Sequence, residues 1–347
     1  MFKYEVIIPI QSLIMVICLN HTFLTLPVIL NKKMQEDMKN QDYKVPSRKV
    51  IRSANSEEEL IKLENDHSQS ERITWGQSLN GLLDVWRQTQ GRDIKVAVLD
   101  TGIDTDHPDL KDAIIETKDF SGDGIEDVDG HGTHTAGTVA ARINGAGLVG
   151  VAPESQLLIG KVFTNNGDGN YDMLVNAIRW ATDAGADIIS MSLGGPATTP
   201  DLFQAIHYAL INDRIVICAA GNEGSFYQNN IGYPGRYGGV ITIGAHDRNG
   251  NATGFSSRGG EIDFMAPGKE VWSTWLDGGY AKLDGTSMAT PFVAGLAALI
   301  LSKHRNSNNQ TPIDNNEDMR NHLMRLAAHP GYFDAERGYG PINAFYL

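Results

Sequence analysis

Between Ile94 and Asp247 the chain alternates two kinds of segment, and this alternation constrains its fold more than any other feature. "IKVAVLD" (94–100), "SQLLIGKVF" (155–163), "ADIISMSLGG" (186–195), "RIVICAAGNEG" (214–224) and "GVITIGAHD" (239–247) are short runs rich in β-branched and apolar residues. "YDMLVNAIRWATDAG" (171–185) has helical spacing instead, with Met173, Leu174, Ala177, Ile178 and Ala181 on one face and a closing glycine, and "DLFQAIHYALIND" (201–213) also reads as a helix. Strands apolar on both faces, separated by amphipathic helices, call for a parallel sheet covered on both sides. The expected fold is an α/β three-layer sandwich with a mostly parallel central sheet. Chemistry in such sheets gathers at the carboxyl ends of the strands. Four unusual loops fall there: Asp100-Thr-Gly, Ser192-Leu-Gly-Gly, Ala220-Gly-Asn-Glu-Gly and the turn before Ser287.

The 347 residues suffice for one large domain or two small ones. A net charge of -13 argues against nucleic acid and anionic membrane surfaces as partners. The two cysteines, Cys18 and Cys218, make neither a disulfide framework nor a cysteine-ligated zinc, and Cys218 reads as a small buried hydrophobe. Residues 1–30 form an apolar N-terminal segment that suits a signal peptide, an anchor or a pro-segment. Glu5, Gln11, Asn20 and His21 interrupt it, Pro9 and Pro27 disfavour one straight helix, and Lys32 and Lys33 follow it. Membrane contact is expected only through this stretch, if at all. Residues 31–70 are charged and too polar to bury a core, as in a linker or pro-region. The folded domain is expected over 71–347, its compact part beginning near Ile73–Trp75.

Three local motifs can do chemistry together. "VAVLDTGIDTDHPDL" ends an apolar strand in a carboxylate, Asp100. "DGHGTHTAGTVA" starts a helix at His131, and "GTSMATPFVAG" starts another at Ser287. A serine hydroxyl is a poor nucleophile until a base removes its proton. A histidine is the natural base, and a buried carboxylate fixes its tautomer. A helix N-terminus exposes the serine and offers unpaired N–H groups to a developing oxyanion. Pro291 is expected in the first turn, where its missing N–H costs nothing. Taken singly, each motif also has a plain structural reading: a turn former, a structural histidine, an N-cap.

Taken together, "AVLDTGID", "HGTHTAG" and "GTSMATP" resemble the signatures of the subtilisin family of serine proteases, the subtilases, in chain order Asp…His…Ser. The resemblance covers about residues 73–345, and "VICAAGNEG" and "EIDFMAPG" look closest to bacterial subtilisins, the intracellular branch included. It implies a serine endopeptidase acting on peptide or protein substrates. Asp100 would be the orienting acid, His131 the base and Ser287 the nucleophile, with His134 structural. Asn222 would supply the oxyanion-hole amide beside the Ser287 N–H. Ser192, Leu193, Gly194 and Gly195, with Gly167, Asp168 and Gly169, resemble the two edges that hold an extended peptide by strand pairing. Gly232 matches a wall of the primary specificity pocket, leaving room for a large apolar side chain, and Glu223 at its rim could admit a basic one.

The resemblance further implies structural calcium, held by Asp109, the side chain of Asn144 and the carbonyls of Arg142, Ala146 and Leu148. Glu71 stands near the place of the family's usual N-terminal glutamine ligand. A weaker second cation site would use the carbonyls of Gly235, Tyr237 and Val240. Phe292 stands where many members carry histidine, and repacking is expected there. The chain's own N-terminal pro-region is an expected partner, as in a zymogen, and "VIIPI" (6–10) resembles the short extension of intracellular members. Secretion or attachment to the cell envelope is the first expectation and a cytoplasmic location the alternative. Rival readings are a dedicated processing protease and a catalytically silent peptide-binding relative.

Overall fold

The computed structural model describes residues 42–43, 71–224, 229–307 and 313–347. The apolar segment 1–30, and the polar region 31–70 apart from residues 42–43, lie outside the described residues. In chain order the elements are β1 (Asp42–Tyr43), α1 (Trp75–Leu79), α2 (Leu82–Val85), β2 (Lys95–Asp100), β3 (Ile114–Asp119), α3 (His131–Ala140), β4 (Gln156–Lys161), β5 (Gly169–Asn170), α4 (Tyr171–Asp183), β6 (Ile188–Met191), α5 (Pro200–Ile211) and β7 (Ile215–Ala219). They continue with β8 (Ile241–His246), β9 (Phe264–Pro267), β10 (Val271–Thr274), β11 (Tyr280–Leu283), α6 (Thr286–Arg305) and α7 (Asn316–Leu326).

Seven strands form one sheet in the order β3-β4-β2-β6-β7-β8-β9, and every pairing in it is parallel. Successive side chains of a strand point to opposite faces, and the two cores divide on that rule. Val96, Val98, Ile188, Ile215, Ile217, Ile241 and Ile243 pack with α3 and α6 on one face. Ala97, Leu99, Ile189, Met191, Val216 and Cys218 pack with α4 and α5 on the other. The expected three-layer sandwich is therefore the observed one. Burial pushes the Cys218 thiol well above its ordinary pKa, so it is a packing residue without thiolate chemistry.

Helix α6 is apolar and long enough to cross a membrane, yet Thr286 through Ser302 are all buried in the protein. It is a core helix, and this explains the apolar run after Ser287. Its first turn reaches the carboxyl ends of the strands, where β2 delivers Asp100.

Candidate active site

Asp100 is the last residue of β2 and His131 the first of α3, and their side chains meet at 2.7 Å, Nδ1 to Oδ1, with both residues about 1% exposed. So close an approach needs glycine on both sides. A Cβ on Gly132 would stand 2.2 Å from the Gly102 carbonyl oxygen, and Gly102 itself has φ +116°. The Thr101 N–H donates to Asp100 Oδ1 at 2.8 Å and the Thr135 hydroxyl to Oδ2 at 3.3 Å. With Nδ1 engaged on the carboxylate, the imidazole keeps Nε2 as its free proton acceptor. His134, one turn further, directs its Nε2 to the carbonyls of Val271 and Ala281 and ties α3 to the β10–β11 hairpin.

Ser287 is the second residue of α6, and its N–H is one of the first four that a helix leaves without an internal acceptor. Its hydroxyl donates to the Ser192 carbonyl at 3.2 Å, while the Ser192 hydroxyl donates to the Ser287 carbonyl at 2.9 Å. The second bond corrects the expectation for Pro291. That residue is the sixth of α6, beyond the first turn. Lacking an N–H, it leaves the carbonyl four residues back, that of Ser287, free to accept from Ser192. The proline thus helps to fasten the serine to the segment that follows β6.

Asn222, just past the end of β7, lies against the same turn. Its Oδ1 accepts from both the N–H (2.9 Å) and the hydroxyl (3.0 Å) of Thr286, so Nδ2 is the end left to donate elsewhere. A Cβ on Gly285 would come 3.3 Å from that Nδ2, which places the amide nitrogen beside the residues leading into Ser287.

The expected binding segments flank these groups. Gly195 and Tyr233 exchange backbone hydrogen bonds at 2.9 and 2.8 Å. This sets Gly194 and Gly195 against Gly232, where an added Cβ would lie 3.2 Å from the Gly195 carbonyl oxygen. Leu193 is buried with the α4–α5 core. Glu223 accepts from the Ser257 hydroxyl at 2.5 Å and is exposed. Gly167 and Asp168 lie in an exposed turn closed by Thr164, and Gly169 belongs to β5. Strand β1 pairs antiparallel with β5, Tyr43 opposite Gly169 and Asp42 opposite Asn170. Behind this wall the Tyr237 hydroxyl bonds Thr198, and burial pushes its pKa up to about 12, so it stays neutral.

At the expected calcium position, the Asp109 carboxylate is buried and accepts from Asn144 Nδ2 (2.8 Å), the Leu148 N–H (3.1 Å) and the Tyr280 hydroxyl (2.7 Å). Burial and this carboxylate hold the Tyr280 pKa well above the tyrosine norm. Arg142 turns its guanidinium away, onto the carbonyls of Asp112, Pro153 and Ser155. Asn144 Oδ1 accepts from the Ala146 N–H, and Glu71 accepts from the Gly145 N–H at 2.7 Å. The carbonyls expected at a second cation site are taken by protein donors: Gly235 by the Thr242 hydroxyl, Tyr237 by the Val240 N–H and Val240 by Arg320. Phe292 is buried and faces Gly76. Sequence reasoning did not single out Thr101, Thr286 or Tyr280, whose side-chain partners Asp127, Asn222 and Asp109 lie 26, 64 and 171 residues away, nor Asp127, whose acceptor role is set by the turn into α3.

The family model described as the Subtilase family (peptidase S8) matches residues 91–340. An intracellular serine protease of Paenibacillus polymyxa is 50% identical over 224 residues, which is 62% of this chain and 69% of the relative. Subtilisin DY of Bacillus licheniformis is 45% identical over 247 residues, 70% of this chain and 86% of the relative. The major intracellular serine protease of Bacillus subtilis is 46% identical over 234 residues, 65% and 73% of the two chains. A family match over most of the sheet and its covering helices, joined by relatives that are themselves proteases, leaves one conclusion: this chain belongs to the subtilase family and is a serine-type endopeptidase.

Proposed function

We propose that Asp100, His131 and Ser287 act as one triad, and the observation that carries this is the buried 2.7 Å contact between His131 Nδ1 and Asp100. When a peptide is bound, the Ser287 hydroxyl turns from the Ser192 carbonyl and gives its proton to His131 Nε2 as Oγ attacks the scissile carbonyl. The tetrahedral oxyanion is received by Asn222 Nδ2 and the Ser287 N–H. His131 then protonates the departing amine, and a water deprotonated by the same nitrogen releases the acyl group from Ser287. A serine-directed phosphonate tests the assignment. It should label the wild type and fail on Ser287→Ala; labelling of neither protein would favour the silent peptide-binding reading.

Substrate is proposed to lie extended between Ser192–Gly195 and Gly167–Gly169, held by main-chain hydrogen bonds that tolerate many sequences. The glycine-walled space at Gly194 and Gly232 suits a large apolar side chain, and Glu223 at its rim suits a basic one. The pairing of β1 with β5 supports a further step, in which the chain's own N-terminal region occupies this edge until it is removed. Residues 45–72 are polar and lie between β1 and α1, so a cut there would free the edge. Intact mass should show the wild-type enzyme trimmed within 45–72. The Ser287→Ala chain should stay whole alone and be trimmed when a little active enzyme is added. Retention of Met1 through Arg72 by active wild type would defeat this scheme. The relatives named as intracellular favour the cytoplasmic location over secretion, and cell fractionation decides.

Calcium is proposed at Asp109. Buried charges are normally paired or bound to metal, and among the described residues no ion pair is made by this carboxylate. Also among the described residues, no cluster of three or more His, Cys, Asp or Glu gathers as a metal centre, so the site would rest on amide oxygens. The set fits calcium in charge and oxygen donors, provided Asn144 rotates to present Oδ1 in place of Nδ2. Asp109, Asn144 and the carbonyls of Arg142, Ala146 and Leu148 would hold the ion, which stabilises the loop and takes no part in the reaction. Chelator should lower the thermal midpoint. A site saturated at 100 times Kd contributes roughly 2.7 kcal/mol, and identical melting curves with and without chelator would refute it.

A further inference from the structure

The helix that carries His131 has no N-cap side chain of its own, since its N-cap residue is Gly130. Its first three N–H groups nevertheless all find acceptors, each a different side chain. The His131 N–H donates to Asp129 (3.1 Å), that of Gly132 to the Thr101 hydroxyl (2.8 Å) and that of Thr133 to Asp127 (2.9 Å). Asp127 does more than cap. Its Oδ1 also accepts from the N–H groups of Asp129 (3.0 Å) and Gly130 (2.9 Å) and from the Thr101 hydroxyl (2.9 Å), and its Oδ2 accepts from the Thr133 hydroxyl (2.8 Å). The residue is only 7% exposed. Thr101 is the immediate neighbour of Asp100 and bonds that carboxylate through its N–H.

We propose that Asp127 is a positioning residue for the Asp100–His131 pair, a proposal that rests on the assignment of His131 as the base. One carboxylate grips both halves of the pair. Through Thr101 it holds the strand end that delivers Asp100, and through Gly130 and Thr133 it holds the helix turn that delivers His131. Five donors converge on its two oxygens, three on Oδ1 and two on Oδ2. An amide cannot replace it. Either rotamer of an asparagine would set its NH2 against at least two of those donors, and buried donors do not stay unpaired without cost. The turn would relax, and the base would move relative to the acid and the nucleophile. Its negative charge also sits at the positive end of the helix, where it is well tolerated.

The test uses the full chain, with turnover normalised to sites titrated by a serine-directed phosphonate. Asp127→Asn is expected to lower kcat roughly tenfold to a hundredfold, the scale of a small displacement of a catalytic group, with KM within about twofold. The far-downfield proton NMR signal of the imidazole proton shared with Asp100 should shift or broaden with it. Thr101→Val, which removes the link to the strand, should move both readouts the same way, and Thr101→Ser should restore most of the loss. Should Asp127→Asn fail to fold, the Thr101 pair decides. Unchanged kcat and proton signal in the folded variants, or a change in KM alone, would overturn the proposal. If that happens while Ser287→Ala is inactive, only the role of Asp127 fails. If Ser287→Ala keeps turnover, the assignment of the triad fails first.

Discussion

Ser287→Ala is expected to abolish peptide hydrolysis while the chain keeps its fold. Among the described residues the hydroxyl makes one hydrogen bond, to the Ser192 carbonyl at 3.2 Å, so its loss should cost no more than about 1 kcal/mol. The bond in the other direction, from the Ser192 hydroxyl, ends on the Ser287 backbone and survives the substitution. Catalysis has no such reserve, because without Oγ no acyl-enzyme forms. What remains should be about 10³–10⁴-fold over the uncatalysed reaction, the share left to an oxyanion hole and binding alone. That magnitude is established for subtilisin-type triads and is carried over here, not read from the geometry. His131→Ala should lose comparably, since the members act as a unit. Steady-state hydrolysis of a chromogenic peptide, set beside the thermal unfolding curve, checks both halves. Near wild-type turnover in purified Ser287→Ala would remove Ser287 from the mechanism.

The second large effect is expected at Asn222. Replacing it with alanine should lower kcat by about 10²–10³ with little change in KM, the value established for the equivalent amide of subtilisin and carried over with it. In this chain the substitution has a second consequence. Thr286 loses the acceptor of both its N–H and its hydroxyl, which should cost about 1–3 kcal/mol of stability if they stay unsatisfied. Asn222→Asp separates the two. It keeps an oxygen for Thr286 and deletes the amide donor, so stability should hold while kcat falls at least as far as in Asn222→Ala. If Asn222→Asp retained full kcat, the amide would not be an oxyanion donor.

These two sites were legible to different depths. Ser287 stood out because a hydroxyl at the mouth of an apolar helix is unusual, and Asp100 because a carboxylate ends an otherwise apolar strand. Both are local signals, readable within a dozen residues. Asn222 needed the family resemblance, since an asparagine between glycines reads equally well as a turn. Asp109 likewise needed the family resemblance, and its hydroxyl donor Tyr280 comes from 171 residues away. The carbonyls expected at a second cation site lie close together in sequence, while the guanidinium that donates to one of them, that of Val240, arrives from α7, 80 residues later.

The sequence by itself determined the layers, because the two-residue period of a strand and the 3.6-residue period of a helix are local properties of the chain. Its local motifs also pointed to an acid, a base and a hydroxyl near the carboxyl ends of the strands, where Asp100 and His131 are in contact. The tertiary structure decided how they are held. The Ser192–Ser287 bonds span 95 residues, the Asn222–Thr286 bonds 64, and the link from Asp127 to Thr101 spans 26. Pro291 shows the physical reason. Its sequence context suggested a harmless place in the first turn, and the fold set it sixth in α6, where its missing N–H leaves a helix carbonyl without its usual donor. Its missing hydrogen bond became useful only because the end of β6 lies beside α6. A donor or acceptor has a partner only where packing brings one within about 3 Å, and no local pattern of residues encodes which distant segment that will be.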